Sequence, residues 1–412
     1  LNIWILNHYA IPPSLGGLTR HYYFSKFLGK KGHKVRIFTS SMIHNTKINM
    51  VEGKELYREK ITDGIEYTYV RAGDYHANGF SRIKNMLDFP LNLWRLRNTF
   101  ERPDVIYTSS PDLFAAFAAI HIAKQKKVPC VVEVRDLWPE SIIEYKGISR
   151  KNPVIIVLQQ LEKWIYKKAD RIIFTMEGGK DYIVQRGWQN VVDLEKVYHV
   201  NNGVDIEEFD HNRDNCRLEH PQLLNPDTFK VVYTGSVRMV NNLKPLVDAA
   251  KLLKERAGEN IQFLVYGDGN EREELQRYAN EISADNIAFL GHVDKKYIPF
   301  ILSQSNLNLI HVKQTDIMRF GCSLNKLFDY LASGKPILSD LVCRYDLIER
   351  CDCGVVIKQQ TAAAIADAVM DFYNADKEKQ NRWGANARQV ALEYDYPALT
   401  AKLEQVLCII KE

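Results

Sequence analysis

Residues 321–339 read GCSLNKLFDYLASGKPILS, and how that stretch folds decides the architecture of the chain's second half. Leu324, Leu327, Phe328 and Leu331 recur at helical spacing, Gly334 and Pro336 stop the helix, and ILS enters a short apolar strand. A helix delivered through a tight turn into a strand is half of a strand-helix-strand unit. On the same helix, i to i+3 spacing predicts a polar stripe of Ser323, Lys326 and Asp329. A lysine in a first helical turn opposes the helix dipole unless an anion offsets it, so Lys326 faces either a bound phosphate or solvent. Asp329 can then accept from a ribose diol.

The same alternation runs outward in both directions. NIWILN, HKVRIFTS, DVIYTS, VPCVVEV, DRIIFTM and KVYHVNNG read as strands in the first half. FKVVYTG, IQFLVYG, NIAFLG, LNLIHV and GVVIK continue the pattern in the second. Strands separated by helices predict parallel sheets covered on both faces. Between the halves, NNGVDIEEFDHNRDNCRLEHPQLLNPDTF is polar and turn-rich, and the boundary is expected there. We expect domains over 1–205 and 206–390, with a helical tail over 391–412 packing back on the first.

The chain has 412 residues, 46% hydrophobic and 26% charged, which fits two soluble domains. Its formal charge of +4 permits binding of phosphates or an anionic surface, and nothing points to nucleic acid. Seven cysteines lack the paired spacing of a zinc site, so no metal is expected and a reducing compartment is. No run reaches eighteen apolar residues, and LNIWILNHYA reads as a strand running into a loop.

Three further turns repeat the strand-to-helix geometry at which parallel sheets bind ligands. Gly16 and Gly17 follow the first strand, where a missing Cβ lets backbone amides approach phosphate, though neither a dinucleotide fingerprint nor a P-loop is present. GSVRMVNN places Gly235, Ser236 and Arg238 ahead of a helix that Asn241 or Asn242 would cap. YGDGNEREEL places Gly267 and Asp268 where a nucleotide base could rest. The loop EVRDLWPES sets Arg135, Asp136 and Glu140 around Trp138, either a charged aromatic platform for a sugar or acceptor or a surface ion pair with Trp138 packed below. RIKNMLDFPLNLWRLRNTFERP carries five basic residues against two acids among Leu, Phe and Trp, a pattern that suits an anionic membrane surface or a helix covering a sheet.

Taken in order, GGLTRHYYFSKFLGKKGHKVRIFTS, RDLWPES, NNGVDIEEF, the turn at 235, YGDG and NKLFDYLASGKPIL resemble the family 4 glycosyltransferases. More closely, they look like the fucosamine-type transferases of bacterial O-antigen and capsule synthesis. The resemblance implies an α/β GT-B fold, two doubly wound Rossmann-like domains facing across a cleft. It implies no metal or cofactor, a UDP-sugar donor held by the second domain, and a polyprenyl-diphosphate-linked glycan acceptor held by the first. Transfer of an N-acetylamino or deoxyamino sugar would retain configuration, in the cytoplasm or peripherally on the inner face of the plasma membrane. By motif, Gly17 falls under the diphosphate and Asp329 on the ribose, with Lys326 and Arg238 facing phosphate; Asp136 could orient the acceptor. Three departures stand out: the usual glutamate falls on Gly321, the usual arginine and lysine of the 235 turn fall near Ser236 and Asn241, and a frequent histidine is matched by Arg135. These leave two rivals, a UDP-sugar epimerase of the same fold and a nucleotide-sugar-binding protein without transfer activity.

Overall fold

The computed structural model describes residues 1–44, 46–75 and 79–408; the last four residues of the expected tail lie outside them. It divides into two units, Leu1–Asn201 with the returning tail from Tyr396, and Asn202–Asp395.

The first unit is built on eight strands. They are β1 (Asn2–Leu6), β2 (Lys34–Ser40), β3 (Tyr57–Thr62), β4 (Ile65–Val70), β5 (Val105–Ser109), β6 (Cys130–Val134), β7 (Arg171–Phe174) and β8 (Val197–His199). They form one sheet in the order β3-β4-β2-β1-β5-β6-β7-β8. Every pairing is parallel except β3 with β4, a hairpin closed through Asp63 and Gly64 at the sheet edge. The hairpin was not among the expected strands. YREKIT on β3 is mostly exposed, so it lacks the apolar run that marks the interior strands.

The second unit carries β9 (Phe229–Thr234), β10 (Ile261–Tyr266), β11 (Ile287–Gly291), β12 (Leu307–Ile310), β13 (Ile337–Ser339) and β14 (Gly354–Val356). Their order is β11-β10-β9-β12-β13-β14, all parallel. Helices bury both faces, which is why FKVVYT on β9 is buried at all six positions. One face packs Leu246, Val247, Leu253 and Val369 against Val231 and Phe263; the other packs Phe328, Leu331 and Ile301 against Val232 and Leu264. This alternation along β9 and β10 is the period-2 signature of a strand between two helical layers.

The polar boundary region holds more order than its composition announced. Asp205 accepts from the Glu208 amide at 3.1 Å and caps a helix over Ile206–Asn215. The Asp-x-x-Glu spacing of DIEE was the legible sign of that helix start.

Candidate functional site

In the second unit, parallel strands deliver three loops to their C-terminal ends, and these loops touch. Gly235 donates its amide to Tyr266 O at 2.9 Å, and Val237 donates to Asp268 O at 3.0 Å, so the loops after β9 and β10 are zipped together. Gly267, at φ +150°, is required by that closeness, because a Cβ there would fall 1.7 Å from Gly235 O.

Lys326 closes the third side. The helix over Asn325–Ser333 starts after Leu324, which supplies no capping hydrogen bond, and ends at Gly334. Lys326 therefore lies in its first turn, beside uncapped amides. Its Nζ sits 3.8 Å from the centroid of the Tyr233 ring, and a Cβ at 235 would lie 2.6 Å from it. The residue as a whole is half-buried, but its ammonium is enclosed and makes no hydrogen bond among the described residues. Burial pushes its pKa down to about 7, with Asp340 pulling it back up. An enclosed cation without acceptors, facing a glycine turn, is the arrangement that an anion would complete.

Asp329, one turn further along, is half-buried, and burial raises its carboxyl pKa, with Lys295 opposing and Glu208 adding to the rise. Ser323 departs from the expected stripe. It precedes the helix, and its Oγ accepts from the Asn202 amide at 3.1 Å while its carbonyl accepts from Asn202 Nδ2 at 2.8 Å. The capping expected of Asn241 or Asn242 is also corrected. The helix begins at Lys244 behind Leu243, and Asn241 Nδ2 instead donates to Ser236 O at 2.5 Å and Ser236 Oγ at 2.8 Å. The two positions where the resemblance expects cations thus hold each other and brace the loop. Arg238 is exposed on that loop, and Asp268 pairs with Arg272 at 3.0 Å and caps the Gly269 amide.

Two residues absent from the sequence reading support this loop. His311, just past β12, is fully buried between Asp340 and the Asn242 carbonyl, the latter at 2.8 Å. Gln360 Nε2 donates to the other Asp340 oxygen at 3.2 Å, so both oxygens of that carboxylate have partners other than Lys326. Their position at parallel strand ends was the available signal. Gly321 is buried at φ +92° and closes a 3₁₀ turn over Asp316–Phe320. The carboxylate position of the resemblance is here a backbone turn.

The first unit carries the remaining candidate residues. Gly16 and Gly17 are exposed between a Pro13–Leu15 turn and the helix Arg20–Lys30, and space is open above Gly17. Below them a buried ionic cluster ties this helix to β6: Arg20 Nε donates to Glu133 at 2.8 Å, and Tyr107 and Ser109 donate to the same carboxylate. Burial alone would raise the Glu133 pKa, yet Arg20 and His21 hold it well below the usual range. Arg135 and Asp136 follow β6 on a loop that Ser110 Oγ anchors at the Arg135 amide, 2.9 Å away. Asp136 is exposed and lies ahead of the helix Glu140–Lys146, so it does not share a helical turn with Glu140. Glu140 is buried and bound by Arg150 at 2.6 Å and Arg186 at 2.9 Å, which occupies its oxygens within the fold. Trp138 lines a hollow of about 400 Å³ with Tyr9, Arg82, Met86 and Lys146.

Residues 15–208 match the model of Glycosyltransferase Family 4, and residues 217–390 that of Glycosyl transferases group 1. EpsD of Bacillus subtilis (strain 168), a provisionally assigned glycosyltransferase, is 25% identical over 253 residues, 60% of this chain and 62% of that protein. The chain thus spans about three-fifths of that relative's length. Among solved structures, sucrose-phosphate synthase of Thermosynechococcus elongatus superposes with a TM-score of 0.75 at 17% identity over 98% of both chains. Anabaena HepE in complex with UDP and glucose gives 0.67 at 14% over 99% of both. WaaG, a glycosyltransferase involved in lipopolysaccharide biosynthesis, gives 0.68 at 15% over 99% of this chain and 100% of its own. At these identities the likeness is one of fold, and the fold is GT-B.

Proposed function

The chain belongs to the family 4 glycosyltransferases, and from that premise we propose that it moves a sugar from a UDP-sugar to a lipid-linked glycan during surface polysaccharide synthesis. The observation that carries the donor half is the enclosed, acceptor-free Lys326 ammonium beside Gly235 and an uncapped helix start. A diphosphate there would gain a charge-assisted hydrogen bond and free helical amides together. As the glycosidic bond to the donor breaks, negative charge grows on the leaving diphosphate, and Lys326 with those amides stabilises it; Arg238 adds its charge from the loop. Asp329 receives the ribose hydroxyls. In a retaining, front-face course the leaving phosphate takes the acceptor proton, so no separate base is needed. The UDP complex of Anabaena HepE supports the nucleotide class through the shared fold.

In the first unit, Gly16 and Gly17 would offer their open turn to phosphate. Arg135, Asp136 and Trp138 would orient the acceptor, a glycan on a polyprenyl diphosphate, with the sugar transferred being an N-acetylamino or deoxyamino one. Glu140 would act through the fold, by fixing Arg150 and Arg186. The protein would work at the cytoplasmic face of the membrane, as a peripheral protein.

Incubation with radiolabelled UDP-sugars and a polyprenyl-diphosphate-linked acceptor tests the reading. A labelled lipid-linked product is the expected result. An epimerised donor, or donor binding without turnover, would replace transfer by one of the two rivals.

A further inference from the structure

The segment RIKNMLDFPLNLWRLRNTFERP folds as a helix over Phe80–Leu96 that buries Met86, Phe89, Leu93 and Leu96 in the first unit. A second set of apolar residues is left outside. Phe80, Ile83, Leu87, Leu91 and Trp94 are exposed by 83%, 53%, 40%, 59% and 39%. Their spacing of three, four, four and three places them within a single arc of roughly 80° at 100° per residue. Isolated exposed apolar residues need no explanation, but a continuous stripe of five along four turns of one helix does.

Charge lies along one flank of that stripe. Lys84 and Arg95 join Lys54 and Arg71 around a hollow of about 500 Å³ whose one acidic lining residue is Asp88. Asp88 is itself engaged, accepting from the Gly73 amide at 3.1 Å and lying 3.8 Å from Lys84 Nζ. Lys54 is exposed and makes no ion pair among the described residues. Arg71 is held by the carbonyls of Gly53 and Glu55, which fixes its guanidinium at the rim. Near the other end of the helix, Arg82 and Ile83 line the hollow that holds Trp138.

We propose that this face docks on an anionic phospholipid bilayer, with the Phe80–Trp94 stripe seated among the acyl chains and the Lys54, Arg71, Lys84 and Arg95 hollow receiving lipid phosphate. The charge complementarity names the occupant. A protein partner would suit the apolar stripe equally, but four cations around one engaged acid beside it match a phosphate layer bordering hydrocarbon. The inference rests on the lipid-linked acceptor reading and deepens it, since docking would bring the Trp138 hollow to the surface where such an acceptor's headgroup lies.

Co-sedimentation of the full-length protein with vesicles of phosphatidylcholine, with and without 30% phosphatidylglycerol, tests it. Binding should require phosphatidylglycerol and weaken with salt. Each basic side chain near such a surface contributes roughly fivefold, so the double substitution Lys84→Glu with Arg95→Glu should weaken binding by upward of about twenty-five-fold. Leu87→Gln with Leu91→Gln, at exposed positions, should weaken it without lowering the melting temperature. Equal binding to both vesicles, no binding to either, or undiminished binding by the charge-reversed variant overturns the proposal. A panel of UDP-sugars titrated into the same samples separates the two ideas. Binding of any UDP-sugar without vesicle binding defeats the docking face alone, whereas a lack of both defeats the UDP-sugar donor reading as well.

Discussion

Lys326 is the residue on which the donor site turns, and its protonation sets a measurable pH dependence. In the folded chain burial holds its pKa at about 7, against about 10.4 for an unfolded lysine. Between those values the unfolded chain binds more protons, so the stability of the free protein should rise with pH from about 7 towards 10. Ligand binding runs the opposite way. A diphosphate favours the ammonium, so above pH 7 binding must take up a proton, and UDP-sugar affinity should fall by as much as about tenfold per pH unit. A UDP-sugar is the right probe because, unlike free UDP, it has no phosphate titrating in this range. Melting curves and calorimetric titrations between pH 6.5 and 9 check both signs, and Lys326→Arg should flatten the affinity profile. An affinity that is level with pH in the native protein contradicts the role assigned to this ammonium. Gly321 carries the other residue-scale lesson: its φ of +92° makes the position a turn, and a glutamate placed there would be strained.

At the level of elements, the site is a contact between loops rather than a motif. Gly267 shows this most sharply, since its Cα faces the Gly235 carbonyl with no room for a side chain. Gly267→Ala should cost about 2–4 kcal/mol and weaken UDP-sugar binding, because the 235 turn beside Lys326 must shift. Denaturant melts would read the loss; a variant as stable as the native chain would mean that the two loops are not interlocked. The interior strands were legible because their apolar runs are bounded by turn residues, and so was the helix stop at Gly334. What periodicity could not supply was the helix start at Asn325, which put Ser323 outside the helix and against Asn202. It likewise could not foresee that Asn241 would spend its amide on Ser236, since caps and loop braces use the same residue types. His311 and Asp340 were passed over because a buried polar pair at adjacent strand ends is assembled only by the sheet.

For the whole molecule, the fold class was readable from alternation alone, while the function came from the order and spacing of several weak motifs. Each glycine turn by itself would be an ordinary turn; the two family models cover residues 15–208 and 217–390 in the same order. The division at Asn201 depends on contacts far apart in sequence, which no local pattern encodes. Tyr396 stacks on Tyr23 at 4.6 Å, and Glu404 pairs with Lys31 and His33, fastening the final helix to the helix that follows the first glycine loop. The account's central claim is that a UDP-sugar diphosphate sits against Lys326 and the 235 turn. Calorimetric titration of a UDP-sugar panel into the native chain and Lys326→Ala tests it most directly. Binding of at least one UDP-sugar by the native chain, weakened tenfold or more in a variant that melts no lower, is the predicted result; equal affinity in the two proteins would contradict it.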